Sequence, residues 1–94
     1  MIYRIAGTSF CQDAVAKLQE GNVVTLVREP NNAFDKNAIR IDFINEKIGY
    51  IPRIENEELA QDMDNGKVFT ATVVSTGRSR PNAPIGIIIN IEKI

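Results

Sequence analysis

Residues 28 to 37 read Arg-Glu-Pro-Asn-Asn-Ala-Phe-Asp-Lys-Asn. Turn formers, amides and a carboxylate surround one aromatic ring between two β-like segments. A solvated connection has no need of a phenylalanine at its centre, whereas a loop that grips a flat, polar ligand does, and a nucleotide at the end of a strand is such a ligand. Phe34 therefore has two readings. It is an anchor tucked under the loop, or a stacking platform, where one base on one ring contributes about 1–3 kcal/mol. Asn31 and Asn32 are turn residues first, because asparagine tolerates left-handed backbone and caps its own turn; their amides can also donate to phosphate or sugar oxygens. Asp35 would repel a phosphate by roughly 1–4 kcal/mol at about 4 Å. As a ligand group it suits a hydroxyl, such as a free 3′-OH; as a structural group it caps the turn through the Lys36 and Asn37 amides.

A second set of candidates flanks this loop in sequence. Tyr50 and Arg53 bracket Pro52 at a strand-to-helix junction. Tyr50 on a sheet face can stack. Arg53 at a helix start opposes the helix dipole, so it is either solvated or held there for a phosphate at the helix N-terminus. Gly7-Thr8-Ser9 leads into Phe10, a stacking ring or a hydrophobic staple. Arg78 and Arg80 suit loose phosphate contacts more than base readout. Cys11 falls on an apolar helical stripe and reads as packing.

The elements that must position these groups are short. Met1 to Gly7 predicts a first strand. Ser9 to Gln12 spells a capping box, and Cys11, Ala14, Val15 and Leu18 mark one face of a short helix ending at Gly21. Val23 to Arg28 is β-branched, and Pro30 stops it. Ile39, Ile41 and Phe43 alternate with Arg40 and Asp42, a half-buried strand. Asn45-Glu46 predicts a hairpin turn into a strand over Lys47–Ile51, in which Gly49 marks a bulge or a close backbone approach. A second helix is predicted from Pro52, acidic in its early turns, with Leu59 and Met63 inward and Asn65-Gly66 as its end. Val68–Thr76 and Ile85–Ile91 are two further strands around the basic loop 77–84. The strands lie too close together for repeated β-α-β crossovers. The pattern predicts a mainly β domain with two short α-helices, a small, partly open β-barrel of about six strands.

Ninety-four residues, 44% hydrophobic and 24% charged, make one small globular domain over residues 1–94. The net charge of −1 gives no basic coat. Five acids, Glu55, Glu57, Glu58, Asp62 and Asp64, sit together without a base; beside them seven acids remain against eleven bases, so a modestly basic face can oppose an acidic helix. One cysteine and no histidine exclude an intrachain disulfide, zinc sites built from Cys and His, and a histidine base. With neither a signal-like N-terminus nor a membrane-length apolar run, the chain reads as cytoplasmic, with no membrane partner and no cofactor.

Three segments together resemble the HIRAN domain family: Gly7-Thr8-Ser9-Phe10 after a strand, Val27 to Ile39 around Pro30-Asn31-Asn32-Ala33-Phe34-Asp35, and Ile48-Gly49-Tyr50-Ile51-Pro52-Arg53. The resemblance covers about Ile2 to Met63, and Pro30 to Ile39 is its specific part. It implies a modified oligonucleotide/oligosaccharide-binding (OB-like) β-barrel with two helices that captures single-stranded DNA through a free 3′-hydroxyl end. It further implies that Phe34 and Asp35 face the terminal nucleotide, that Phe10 stacks on bases and that Arg53 contacts phosphate. Phe34 and Phe10 stand where a family member has tyrosines, Ser9 where it has a phosphate-contacting arginine, and Tyr50 where it has a histidine, so stacking is kept while phenol and arginine contacts are lost. No G-x-x-x-x-G-K-[ST] motif accompanies the domain, and by its resemblance the chain looks like a stand-alone bacterial version.

The expectation is thus a non-catalytic module for single-stranded DNA ends at damaged or stalled replication structures, with Gly7, Ser9, Phe10, Asn31, Asn32, Phe34, Asp35, Tyr50 and Arg53 at the interface and a separately encoded helicase or nuclease as partner. One alternative is a protein-interaction module that uses the acidic helix or a sheet edge. The other is a metal-dependent nuclease with Asp35 and Asp42 around Mg²⁺, which lacks a clustered acidic motif.

Overall fold

The computed structural model describes all residues 1–94. Six antiparallel strands carry the fold: β1 (Ile2–Arg4), β2 (Val23–Arg28), β3 (Ile39–Phe43), β4 (Glu46–Tyr50), β5 (Phe69–Arg78) and β6 (Ile85–Lys93). Two short helices, α1 (Gln12–Val15) and α2 (Glu57–Asp64), are each preceded by a 3₁₀ turn, at Thr8–Phe10 and Arg53–Glu55. The strand order is β1-β6-β5-β2-β3-β4. The sheet curls until its two outer strands meet: Ala6, just past β1, exchanges both backbone hydrogen bonds with Tyr50 of β4, at 2.8 and 2.9 Å. The result is a curled, partly open barrel with two helices, as the sequence predicted.

Alternation explains the core. Ile39 and Ile41 of β3, Ile48 of β4 and Ile87, Ile89 and Ile91 of β6 all turn inward and are essentially inaccessible. Their branched side chains fit a pleated, half-buried surface, and an Ile-to-Val truncation at such a site costs about 0.5–1.5 kcal/mol. Ala14, Val15 and Leu18 bury the stripe expected of the first helix, with Cys11 packed at its margin. At closure, β4 carries a bulge: Ile41 faces Gly49 and Asp42 faces Lys47, leaving Ile48 as the extra residue. A Cβ on Gly49 would lie 2.5 Å from the Ala6 carbonyl oxygen and collide with the Ile5 side chain. Glycine is needed there because β1 and β4 approach through that point.

Several boundaries differ from the sequence reading. The Ser9–Gln12 capping box does not form, because Ser9 lies within a 3₁₀ turn and makes no cap bond. Gln12 instead reaches across to β6, donating to the Thr8 and Ile85 carbonyls and accepting from the Ile85 N–H at 2.9 Å. The first helix is accordingly a single turn. The second does not begin at Pro52: a 3₁₀ turn intervenes, and α2 starts after Asn56. The β3–β4 hairpin turns at Ile44-Asn45, both with positive φ, one residue earlier than predicted, which suits the right-handed twist of the strands. Helix α2 ends as predicted, with Gly66 at φ +87 and its N–H on the Met63 carbonyl. No helix is long and apolar enough to cross a membrane.

Candidate nucleic-acid interface

The loop between β2 and β3 is held by its own polar side chains. Asn32 Oδ1 accepts from the Phe34 N–H at 2.9 Å and from the Asp35 N–H at 3.1 Å, while Asn32 Nδ2 donates to Glu29 Oε1. Asp35 Oδ1 accepts from the Asn37 N–H at 2.9 Å. These bonds fix the backbone of the turn on both sides of Phe34, whose ring stands 87% exposed. Burying such a ring would gain about 1.5–3 kcal/mol; the loop forgoes that gain, so the anchor reading of Phe34 does not hold.

Arg28 braces the loop from beneath. Its Nε and Nη2 donate to the two carboxylate oxygens of Asp64 on α2, at 2.9 and 3.0 Å, and its Nη1 and Nη2 also reach the Ala38 and Lys36 carbonyls. Fork-on-carboxylate pairing of this kind is directional as well as strong. One guanidinium therefore fixes the second half of the loop against the end of α2.

Asp35 is fixed twice. Besides capping Asn37, its Oδ2 accepts from Asn56 Nδ2 at 2.8 Å, and Asn56 is 2% exposed. Burial works to raise the Asp35 carboxyl, but the Asn37 and Asn56 hydrogen bonds and the nearby charges of Arg53 and Arg28 outweigh it, and the group lies below the usual carboxylate range. An ionised carboxylate has about four lone-pair sites, so two remain for an incoming hydroxyl. Both sequence-level roles of Asp35 are thus compatible, with the cap made through Asn37.

Asn32, Phe34, Asp35 and Arg53 line one open cleft, together with Ile54 and Asn56. Arg53 stands on the 3₁₀ turn and not at the N-terminus of α2, which begins four residues later at Glu57. Ile54 is 94% exposed beside Phe34 in this cleft. The sequence reading missed Asn56 and Ile54. A polar residue immediately before an acidic helical run was a usable signal for Asn56; Ile54 carried none, since its exposure depends on the 3₁₀ turn.

Phe10 and Ser9 occupy a different cleft, shared with Lys47. Phe10 is 90% exposed and is not a staple. Gly7, at φ +78, supplies the left-handed turn that leads to it. Between the two clefts lies a polar patch containing Glu29, Arg40, Asp42, Lys47 and Tyr50. Tyr50 donates its hydroxyl to Glu29 Oε1 at 2.9 Å, and the Lys47 ammonium sits 5.5 Å from its ring centre. Burial and the Glu29 carboxylate push the Tyr50 hydroxyl up, while Glu29, although burial raises it, is held low by Asn32, Tyr50 and Arg40. Asn31 is exposed at the tip of the turn. Asp42 is engaged by Arg40 through both oxygens, and no group of three or more His, Cys, Asp or Glu side chains converges anywhere in the chain. Asp35 and Asp42 line separate clefts and form no shared cation cage.

The geometry can be set beside known proteins. The chain is 38% identical over 63 residues to the helicase-like transcription factor of Mus musculus and 41% identical over 61 residues to that of Oryctolagus cuniculus. These alignments take in 66% and 64% of the chain but 6% of each relative, so the chain spans a small fraction of their length. Among solved structures, a protein from Lactobacillus plantarum superposes with a TM-score of 0.74 at 25% identity, covering 97% of this chain and 91% of that one. The HIRAN domain of human HLTF has the same fold, with a TM-score of 0.74, 24% identity and coverage of 97% and 73%. The family model of the HIRAN domain matches residues 1–92, and with nearly the whole length matched, this chain belongs to the HIRAN domain family.

Proposed function

We propose that this domain is a non-catalytic module that binds single-stranded DNA by its end, with the terminal nucleotide berthed between Phe34, Asp35 and Arg53. The observation that carries the reading is Phe34: a ring 87% exposed, raised by hydrogen bonds from its own loop, beside a carboxylate with unused acceptor capacity and a cation in the same cleft. The ring offers a base a face to stack on. Asp35 stays ionised and so favours a donor, a 3′-hydroxyl, over a 3′-phosphate. Arg53 attracts the backbone phosphate that Asp35 would repel. Asn31 and Asn32 flank the sugar and phosphate, with one N–H of Asn32 already given to Glu29. Tyr50 and Phe10, with Gly7 and Ser9 shaping the turn, continue the path toward the second cleft. Membership of the HIRAN family and the similarity to helicase-like transcription factors support a DNA partner, and a helicase or nuclease acting on the same DNA end accords with that similarity.

Fluorescence anisotropy with matched oligonucleotides ending in 3′-OH or 3′-phosphate tests the reading. The wild type is expected to prefer the 3′-OH end by roughly fivefold or more, the equivalent of about 1 kcal/mol of repulsion relieved, and Asp35→Asn to lose most of that preference. Equal affinity for the two ends in the wild type removes Asp35 from the berth.

A further inference from the structure

The cleft that holds Phe34 contains a second apolar side chain that the proposed function leaves unused. Phe34 and Ile54 line the same cleft, of about 470 Å³, and Ile54 is the most exposed of the large apolar side chains of the chain. A single exposed apolar residue needs no explanation. Here two of them stand in a cleft whose other lining groups are mostly polar, on two separate segments that are each held in place. Phe34 is set by the Asn32 bond to its N–H and by the Asp35 cap that follows it. Ile54 is the middle residue of the 3₁₀ turn Arg53–Glu55, closed by the Glu55 N–H on the Pro52 carbonyl at 2.9 Å. That turn is pinned on both sides: before it, Ile51 is buried and donates its N–H to the Ile39 carbonyl; after it, Asn56 is buried. A fastened turn therefore displays Ile54 to solvent.

The two segments are joined at the cleft itself. Asp35, next to Phe34, accepts from Asn56, two residues beyond Ile54, at 2.8 Å. This bond ties loop to turn, so the ring and the branched side chain keep their relation when a ligand enters. The other exposed ring has no such companion. In the Phe10 cleft the remaining apolar lining residues are Cys11, packed at the margin of the core, and Ala14, which is buried. Phe10 is thus a one-sided platform, whereas Phe34 shares its cleft with an exposed branched aliphatic side chain.

On the basis of the end-binding reading, we propose that Ile54 is the second wall of a slot with Phe34, which admits a planar base with both faces free and so selects single-stranded ends over blunt duplex ends. A ring alone can stack on the outer face of a terminal base pair, so a one-sided platform accepts a blunt end as well as a single strand. A slot cannot, because the inner face of that pair is covered by the next pair. The duplex end must first fray, and the unstacking and unpairing this requires are smallest for a base that is already single-stranded. Stacking on the ring tolerates any base, so the slot selects strand state and not sequence.

Anisotropy titrations of the wild type, Ile54→Ala, Ile54→Leu and Phe34→Ala test the slot on three probes with free 3′-hydroxyls: a single strand, the same strand with an abasic terminal residue, and its blunt duplex closed by G·C pairs. The wild type is expected to bind the single strand roughly tenfold or more tighter than the duplex, whose end must open first. Ile54→Ala is expected to lose roughly fivefold on the single strand, about half of what full burial of an aliphatic side chain contributes. It should hold the duplex at least as well as the wild type does, because the ring is then open on one side to an intact pair, and it should bind the abasic strand as the wild type does, because no base fills the slot. Ile54→Leu, which restores the aliphatic bulk, is expected to keep the wild-type preference. Phe34→Ala is expected to lose roughly tenfold on the single strand. Ile54 is exposed, so its variants should keep the wild-type urea midpoint, which separates a binding loss from misfolding. Wild-type affinity of Ile54→Ala for the single strand, or an equal loss on single strand and duplex, overturns the slot, and a Phe34→Ala loss in the same series leaves the berth standing. If Phe34→Ala weakens no probe, end binding at Phe34 itself fails and the slot fails with it.

Discussion

Two loops of this barrel connect neighbouring antiparallel strands, and they are built on opposite principles. The β2–β3 loop is fastened at almost every step: Arg28 to Asp64 and to two carbonyls, Asn32 to two N–H groups and to Glu29, Asp35 to Asn37 and Asn56. The β5–β6 loop has the Ala83 N–H on the Arg80 carbonyl and Arg78 on the Ala83 carbonyl. The first spends its polar groups on its own geometry and presents a few unspent ones, the Phe34 face and the free lone pairs of Asp35. The second makes only these two ties of its own and leaves the Arg80 guanidinium without an ion-pair partner. A pre-formed loop suits recognition of one terminal nucleotide, because ordering is not charged against binding.

The contrast can be broken by removing the fastenings. Arg28→Ala has the largest expected effect. It strips Asp64 of its partner and leaves the Ala38 and Lys36 carbonyls without their side-chain donor, at a cost of about 2–3 kcal/mol, measurable as a lower urea midpoint. DNA affinity should fall with it, because the loop loses its brace. Phe34→Ala separates the two roles of the loop: stability should change by no more than about 0.5 kcal/mol, as for an exposed side chain, while binding weakens by about 1–3 kcal/mol. A large stability loss in this variant would restore the anchor reading.

Acid sharpens the comparison. Asp35 and Asp64 are both held below the ordinary carboxyl range: Asp64 by its Arg28 hydrogen bonds against a smaller burial effect, Asp35 by its hydrogen bonds and neighbouring cations against burial. A depressed folded-state pKa contributes stability that is present above the unfolded carboxyl value and is lost as pH falls through the folded one. The wild type should therefore lose stability below about pH 4, and its advantage over Asp35→Asn, measured by urea unfolding at neutral and at acid pH, should shrink on acidification. A constant gap would show that the Asp35 charge contributes nothing to the loop. Arg80→Gln, in the loosely tied loop, should have the smallest effect, within about 0.5 kcal/mol by the same urea assay.

The same contrast governs what could be read in advance. The turn character of Asn32, the Asp35 cap, which takes the Asn37 N–H but not that of Lys36, and the β-bulge beside Gly49 are local chemistry, written within a few residues, and appear in the structure. The start of α2, the failure of the Ser9–Gln12 box and the outward swing of Ile54 depend on groups distant in sequence. Gln12 has its amide drawn 73 residues away to Ile85, and no local rule can weigh that competitor. Arg28 was legible as the last residue of a strand; its brace to Asp64, 36 residues on, was not.

Alone, the sequence determined the alternation that buries one face of each strand, the turn chemistry that makes the Asn32–Asn37 loop, and the pairing of ring and carboxylate at Phe34 and Asp35, because each is set by steric and hydrogen-bonding preferences within a few residues. Only the tertiary structure decided that the ring faces water, that Asn56 bonds Asp35 from the turn before α2 with Arg53 in the same cleft, and that β1 and β4 close through Gly49. Those outcomes turn on which of several satisfied arrangements packs the shared isoleucine core, and that choice is made by the whole chain at once.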